Sequence, residues 1–158
     1  TLDREEARMK RYLWTCLLLL FPVSELSAQA TQAEIVEAAR QACVDLDGGE
    51  FAVGDDAMTS VDLDGDGTAD LLVDEGKFAC STSASMFTST GGSQLHSIVG
   101  DRHDVWMAQA WRLVDWGDHK ILLLAEHGSR CGGIGYQPCF EAIAWSDEGP
   151  KTVRGTNP

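Results

Sequence analysis

The chain has 158 residues, a formal charge of −13 at pH 7 and 44% hydrophobic residues. A surface this acidic repels phosphate backbones and anionic lipid, which argues against nucleic acid and anionic membranes and favours cations, basic proteins among them. The length suits one domain with one core.

Residues 1–8 are charged and precede the first methionine, Met9. Met9-Lys10-Arg11 is basic, residues 12–23 form an apolar core of twelve, and Ala28-Gln29-Ala30 puts small residues at −3 and −1 of a cleavage site. That order is the pattern of a secretory signal peptide beginning at Met9. Twelve apolar residues are too few for a bilayer, which needs about 20, so no stable membrane span is expected after cleavage. Cys16 lies inside the apolar core and does not resemble a lipid-attachment cysteine. Residues 1–30 are expected to be removed, leaving 31–158 as a single domain of 128 residues. The removed part carries four acids and four bases, so the charge stays at −13. The expected location is the periplasm or the medium.

The domain opens with a predicted helix. Thr31-Gln32-Ala33-Glu34 reads as a capping box, with Thr31 at N-cap and Glu34 at N3. Ile35, Val36, Ala39, Ala42 and Cys43 follow as an apolar stripe at helical spacing, and Asp47-Gly48-Gly49 ends it. Residues 51–53 are a short strand, and residues 58–61 another.

Residues 62–70 read Asp-Leu-Asp-Gly-Asp-Gly-Thr-Ala-Asp, with aspartates at positions 1, 3, 5 and 9. Their carboxylates converge if the backbone coils tightly, and Gly67 permits the coil because it has no Cβ. Hard oxygen ligands in this number suit Ca²⁺, which takes six to eight of them. The flanks differ from an EF-hand, which has a helix on each side and a bidentate Glu at position 12. Here position 12 is Val73, and both Thr59-Ser60-Val61 and Leu71-Leu72-Val73 are strand-like.

Over about a dozen residues the stretch resembles the D-x-D-G-D-G-x-x-D loop of FG-GAP and VCBS-type repeats. The resemblance implies calcium at Asp62, Asp64, Asp66 and Asp70, with the Thr68 carbonyl. It does not imply a propeller, which needs several copies. The one echo, Val44-Asp45-Leu46-Asp47-Gly48, continues with Gly49 where a third Asp is required, and reads as the end of the helix.

Four cysteines survive cleavage: Cys43, Cys80, Cys131 and Cys139. An even count in an exported domain implies two disulfides. Loop closure favours Cys131 with Cys139 across a Gly-rich loop, which leaves Cys43 with Cys80. No C-x-x-C spacing supports zinc.

Residues 81–93 are rich in hydroxyls and read as a surface crossing. A meander follows: a strand at 95–99, one or two within 106–115, a turn at 116–119, a central strand at 121–125 apolar on both faces, another at 140–145, a turn at 147–150 and an edge strand at 151–153. Trp106, Trp111 and Trp116 are spaced by five, which alternates faces in a strand. At least one belongs in the core, and an exposed one could anchor a sugar or a protein partner.

His96, His103, His119 and His127 show no metal-binding spacing. A triad can be written on paper from Ser93, His96 and Asp101 or Asp104, but no G-x-S-x-G elbow supports it, and no catalytic residue is assigned. The expected fold is α+β, an N-terminal helix packed on an antiparallel sheet meander and stapled by disulfides. The expected function is that of an exported protein with one structural Ca²⁺. The alternatives are an interaction protein or inhibitor that binds a cationic enzyme or a glycan, and a hydrolase acting through residues 81–103. Four cysteines and one such loop behind a signal peptide also resemble small exported bacterial proteins of unassigned role.

Overall fold

Leu72 and Val73 are neighbours in one strand, and neither has any solvent exposure. Successive strand side chains point to opposite faces, so this strand must be covered on both sides. The computed structural model of the chain, which describes residues 23–156, shows what covers it.

The strand is β3 (Asp70–Asp74), in a four-stranded antiparallel sheet with β2 (Met58–Val61), β5 (Ser93–Val99) and β6 (Arg102–Ala108), in the order β2-β3-β5-β6. A second antiparallel sheet holds β7 (Ala110–Trp116), β8 (His119–Glu126), β9 (Cys139–Ser146) and β10 (Gly149–Arg154), in the order β10-β9-β8-β7. Between the sheets lies the larger core: Leu72, Leu95, Val99 and Ala108 from the first, Leu122, Leu124, Ile143 and Trp145 from the second, with Leu63 from the loop before β3. The helix α1 (Val23–Asp45) covers the other face of the first sheet. Its Ile35 and Ala39 pack with Val73, Ile98, Ala57 and Phe78. A two-stranded piece, β1 (Phe51–Val53) with β4 (Phe78–Cys80), closes this second core. There Phe51, Phe78 and Phe87 meet edge to face, with ring centroids 5.3–5.8 Å apart, the arrangement that ring quadrupoles favour.

The fold is thus α+β, with the N-terminal helix on an antiparallel meander and two disulfides. The meander is cut in two at Gln109, the one residue between β6 and β7. Gln109 donates its amide to the Ala125 carbonyl at 2.8 Å, so the chain leaves one sheet and enters the next within a residue. Gly92 makes this corner possible. Its φ is +109°, and a Cβ there would lie 2.1 Å from the Ala108 carbonyl oxygen, which no side chain tolerates.

Two expectations are corrected. Thr31 does not cap the helix, because α1 already begins at Val23. Glu25, Leu26, Ala28, Gln29 and Ala30 are good helix formers with no Gly or Pro among them, so nothing stops the helix at Thr31. The central strand is not apolar on two buried faces: Leu122 and Leu124 are fully buried, whereas Leu123 between them is 37% exposed. Among the described residues, the second sheet has a layer on one side only. Phe78–Cys80 forms a further strand, which three residues of pattern could not announce. The helix end is as expected, with Asp47 and Gly48 at φ of 54° and 70° beyond Asp45. The apolar core at 12–22 lies outside the described residues, and no described helix is long and apolar enough to cross a membrane.

Both disulfides pair as expected. Cys43 joins Cys80, tying α1 to β4, and Cys131 joins Cys139 across the loop before β9. The sequence separations are 37 and 8, so chain entropy makes the first bond worth about 1 kcal/mol more than the second. Denaturant unfolding of Cys43→Ser/Cys80→Ser should show the larger loss, within the ~2–5 kcal/mol usual for a native bridge. A larger loss for Cys131→Ser/Cys139→Ser would mean that the first bond is not the main constraint on the unfolded chain.

Candidate metal centre

The loop between β2 and β3 is anchored before any ligand is considered. Leu63 is fully buried in the inter-sheet core. Its backbone carbonyl accepts from the Lys120 amide at 3.3 Å. The Asp64 carbonyl lies 2.6 Å from His119 Nδ1. The loop therefore leans on the turn between β7 and β8. Gly65 is the point of closest approach: its φ is +80°, and a Cβ would stand 2.8 Å from the Asp118 carbonyl oxygen.

Within the loop the aspartates tie down their own backbone. Asp62 accepts from the Gly65 amide at 2.7 Å and the Gly67 amide at 3.0 Å. Asp64 accepts from the Asp66 amide at 3.1 Å, and Asp66 from the Thr68 amide at 2.6 Å. These are Asx-type bonds, in which a short carboxylate bends the chain around itself. The coil brings carboxylate oxygens of Asp62, Asp64 and Asp70 to within 4.8 Å of one another. Asp66 stands outside that set of three. With Thr68 and Asp70 it lines an adjoining pocket of about 40 Å³, which Ala28 of α1 also borders.

Asp70 is the electrostatic centre. It is only 5% exposed, at the first position of β3. Burial pushes its pKa up to about 6, and the charges of Asp64 and Asp66 add to the rise. The amides of Leu63, at 2.9 Å, and Gly100, at 3.3 Å, work against it. Carboxylates so crowded need positive charge between them to ionise together.

The paper triad does not assemble. Ser93 and His96 are three apart in β5 and so face opposite sides of the sheet. Ser93 Oγ donates to Asp74 at 3.3 Å. His96 instead bridges Glu75, at 3.0 Å from its Nε2, and His103, at 2.9 Å from its Nδ1. His96 thus stands between a carboxylate and a second imidazole. The stacked imidazoles come from diagonal positions across the β5–β6 hairpin, since His103 pairs with Ile98. The pairing of His96 and His103 was readable only once the register of that hairpin was known.

The three spaced tryptophans do not lie in one strand: Trp106 is in β6, whereas Trp111 and Trp116 alternate faces in β7. Trp106 and Trp111 pack against the inter-sheet core, donating Nε1 to Ser97 and to Asp74, each at 2.9 Å. Trp116 is 70% exposed in the second sheet. No protein-family profile, no curated protein and no solved structure matches the chain, so its chemistry has to be argued from these residues alone.

His103 has a pH consequence. Burial and then the neighbouring His96 lower its pKa, while Asp104 and Glu34 pull the other way. The folded chain thus binds this proton less readily than the unfolded chain, whose value is 6.5. His103 contributes stability above that pH, and the contribution is lost as the pH falls through the folded value. Asp70, raised instead, acts in the opposite sense between 3.8 and about 6, so the comparison has to be made between variants. Urea melts from pH 7.5 to 5 should show a steeper loss for the wild type than for His103→Asn. Parallel curves would remove His103 from this account.

Proposed function

We propose that this is an exported calcium-binding protein in which one Ca²⁺ has a structural role. Asp62, Asp64, Asp66, Asp70 and the Thr68 carbonyl would hold the ion. The observation that carries the reading is the gathering of the Asp62, Asp64 and Asp70 carboxylates within 4.8 Å, on a loop whose spacing resembles that of FG-GAP and VCBS-type repeats. The donor set fits: hard carboxylate oxygens, one of them buried and resisting ionisation for want of a counter-charge. Ca²⁺ is favoured over Mg²⁺, which demands a tighter octahedral shell. The loop joins two strands, so there is no helix pair for the ion to open, as it does in sensors. What bound calcium supplies here is order in the loop that braces the β7–β8 turn.

Export has separate support. Two disulfides belong to oxidising surroundings, and the basic, apolar and small-residue order of residues 9–30 is that of a secretory signal. The periplasm or the medium follows. Cleavage after Ala30 would leave the part of α1 that packs through Ile35 and Ala39. Sequencing the mature N-terminus should give Thr31-Gln32-Ala33. Stable exported protein that still begins at Met9 would rule out this processing.

The ion binds the folded loop and not the unfolded chain, so at 100 times its dissociation constant Ca²⁺ should add about 2.7 kcal/mol. Chelation should lower the melting temperature of the wild type. Asp62→Asn or Asp64→Asn should abolish that dependence, and Asp47→Asn, in the degenerate echo, should leave it intact. Calorimetric titration of chelator-stripped protein decides the matter. A flat response to several millimolar Ca²⁺, with no shift in melting, would leave only an acidic turn.

A further inference from the structure

A large cleft lies at the opposite end of β3 from the aspartate loop. Its volume is about 620 Å³, within the range of small-ligand sites. One wall is Trp111 and the buried carboxylate of Asp74, another the hydroxyls of Thr88, Ser89 and Thr90, with Lys77 and Gln109 at the rim. The Trp111 ring is fixed, because its Nε1 donates to Asp74 Oδ2 at 2.9 Å. Asp74 Oδ1 accepts from the Gly76 amide and from Ser93 Oγ, at 2.9 and 3.3 Å. Its carboxylate is therefore spent on shaping the cleft. Ser89 Oγ is engaged in its own turn, donating to the Gly92 carbonyl and accepting from the Gly91 amide, and the Gln109 side-chain nitrogen donates to the Thr90 carbonyl at 2.7 Å. What is left facing a ligand is an indole, the hydroxyls of Thr88 and Thr90, the Gln109 amide oxygen and the Lys77 ammonium, which makes no salt bridge among the described residues. A smaller cleft of about 190 Å³ lies on the other side of the same loop, sharing Thr88, Ser89, Gly92 and Ser93, and adds Met86, Phe87 and Met107.

We propose that this paired cleft binds a short uncharged oligosaccharide. An aromatic ring beside two hydroxyls and a neutral amide oxygen matches a sugar, which has an apolar ring face and a rim of hydroxyls. A flat apolar ligand would leave the hydroxyls unpaired, and an acidic one would enter against a net charge of −13. Two clefts along one loop suit several linked rings better than a single small molecule. The inference does not depend on calcium, since none of the aspartates at 62–70 lines either cleft.

The test is a titration of the disulfide-intact protein with cellotriose and chitotriose, followed by amide chemical shifts and Trp fluorescence, with and without calcium. One or both should bind saturably, with shifts centred on residues 74–77, 88–93 and 109–111. Cellotriose binding would mean that plain hydroxyls suffice; chitotriose alone would assign the side chains of Met86, Phe87 and Met107 in the smaller cleft to an N-acetyl methyl group. Lys77→Ala, at an exposed position, should weaken binding about two- to tenfold, as loss of a hydrogen bond does, without lowering the melting temperature. Gln109→Ala, which also removes the bond to the Thr90 carbonyl, should weaken binding at least as much. Trp111→Phe, which keeps a ring but loses the bond to Asp74, should weaken it at least as much. Absence of saturable shifts with both trisaccharides at 10 mM, or binding of trigalacturonate alone, would overturn the proposal.

Discussion

The constraint on which the rest depends is the two-sided burial of β3 and β5. Both strands must present apolar side chains to α1 on one face and to the second sheet on the other. Leu72 and Leu95 serve the inter-sheet core, and Val73 and Ile98 serve the helix. A slip of one residue would exchange these sets and carry His96 into the leucine layer. Register is therefore held firmly, and with it the positions of polar residues at the ends of the strands. Asp70 opens β3 and Asp74 closes it. The aspartate loop and the Trp111 cleft each have one wall fixed by the same five-residue strand.

The sequence made the aspartate loop, the disulfide pairs and most strands visible, because each rests on local spacing. D-x-D-G-D-G-x-x-D needs only nine residues to be recognised, and Cys131 and Cys139 flank one loop. The start of the helix was not visible, since a capping box at Thr31 is only a permissive signal and the residues before it are equally content in a helix. The division of the meander into two sheets was hidden for a different reason. It turns on Gln109 and Gly92, seventeen residues apart, and on a close approach between Gly92 and Ala108 that no pattern encodes. The Glu75–His96–His103 chain and the Trp111–Asp74–Ser93 contacts belong to the same class, because both arise from register between strands.

Buried charge follows a consistent plan. Glu126 and Glu141, both almost fully buried, receive Arg154 at 2.8 and 2.7 Å, and Glu126 also receives Arg130 at 3.1 Å. Those carboxylates have their cations built in. Breaking such a pair strands a charge in low dielectric, which costs more than the pair itself is worth. Asp74 is supplied with hydrogen bonds in place of a cation. Asp70 has two amides and acidic neighbours, and is the buried carboxylate whose pKa is driven upward.

The two sheets are joined at both ends, by different means. At one end a single residue, Gln109, carries the chain from β6 to β7, a spine that no change of conditions can part. At the other, the loop at 62–70 rests on the β7–β8 turn through the Leu63 and Asp64 carbonyls, a clasp made only of hydrogen bonds and one buried leucine. A sandwich built like a book opens at the clasp. Loosening those few contacts would let water reach Leu122 and Ile143 from that edge, while the amides beside Gln109 stayed closed. The molecule's slowest and fastest exchanging ends would then be set by where its chain happens to turn the corner.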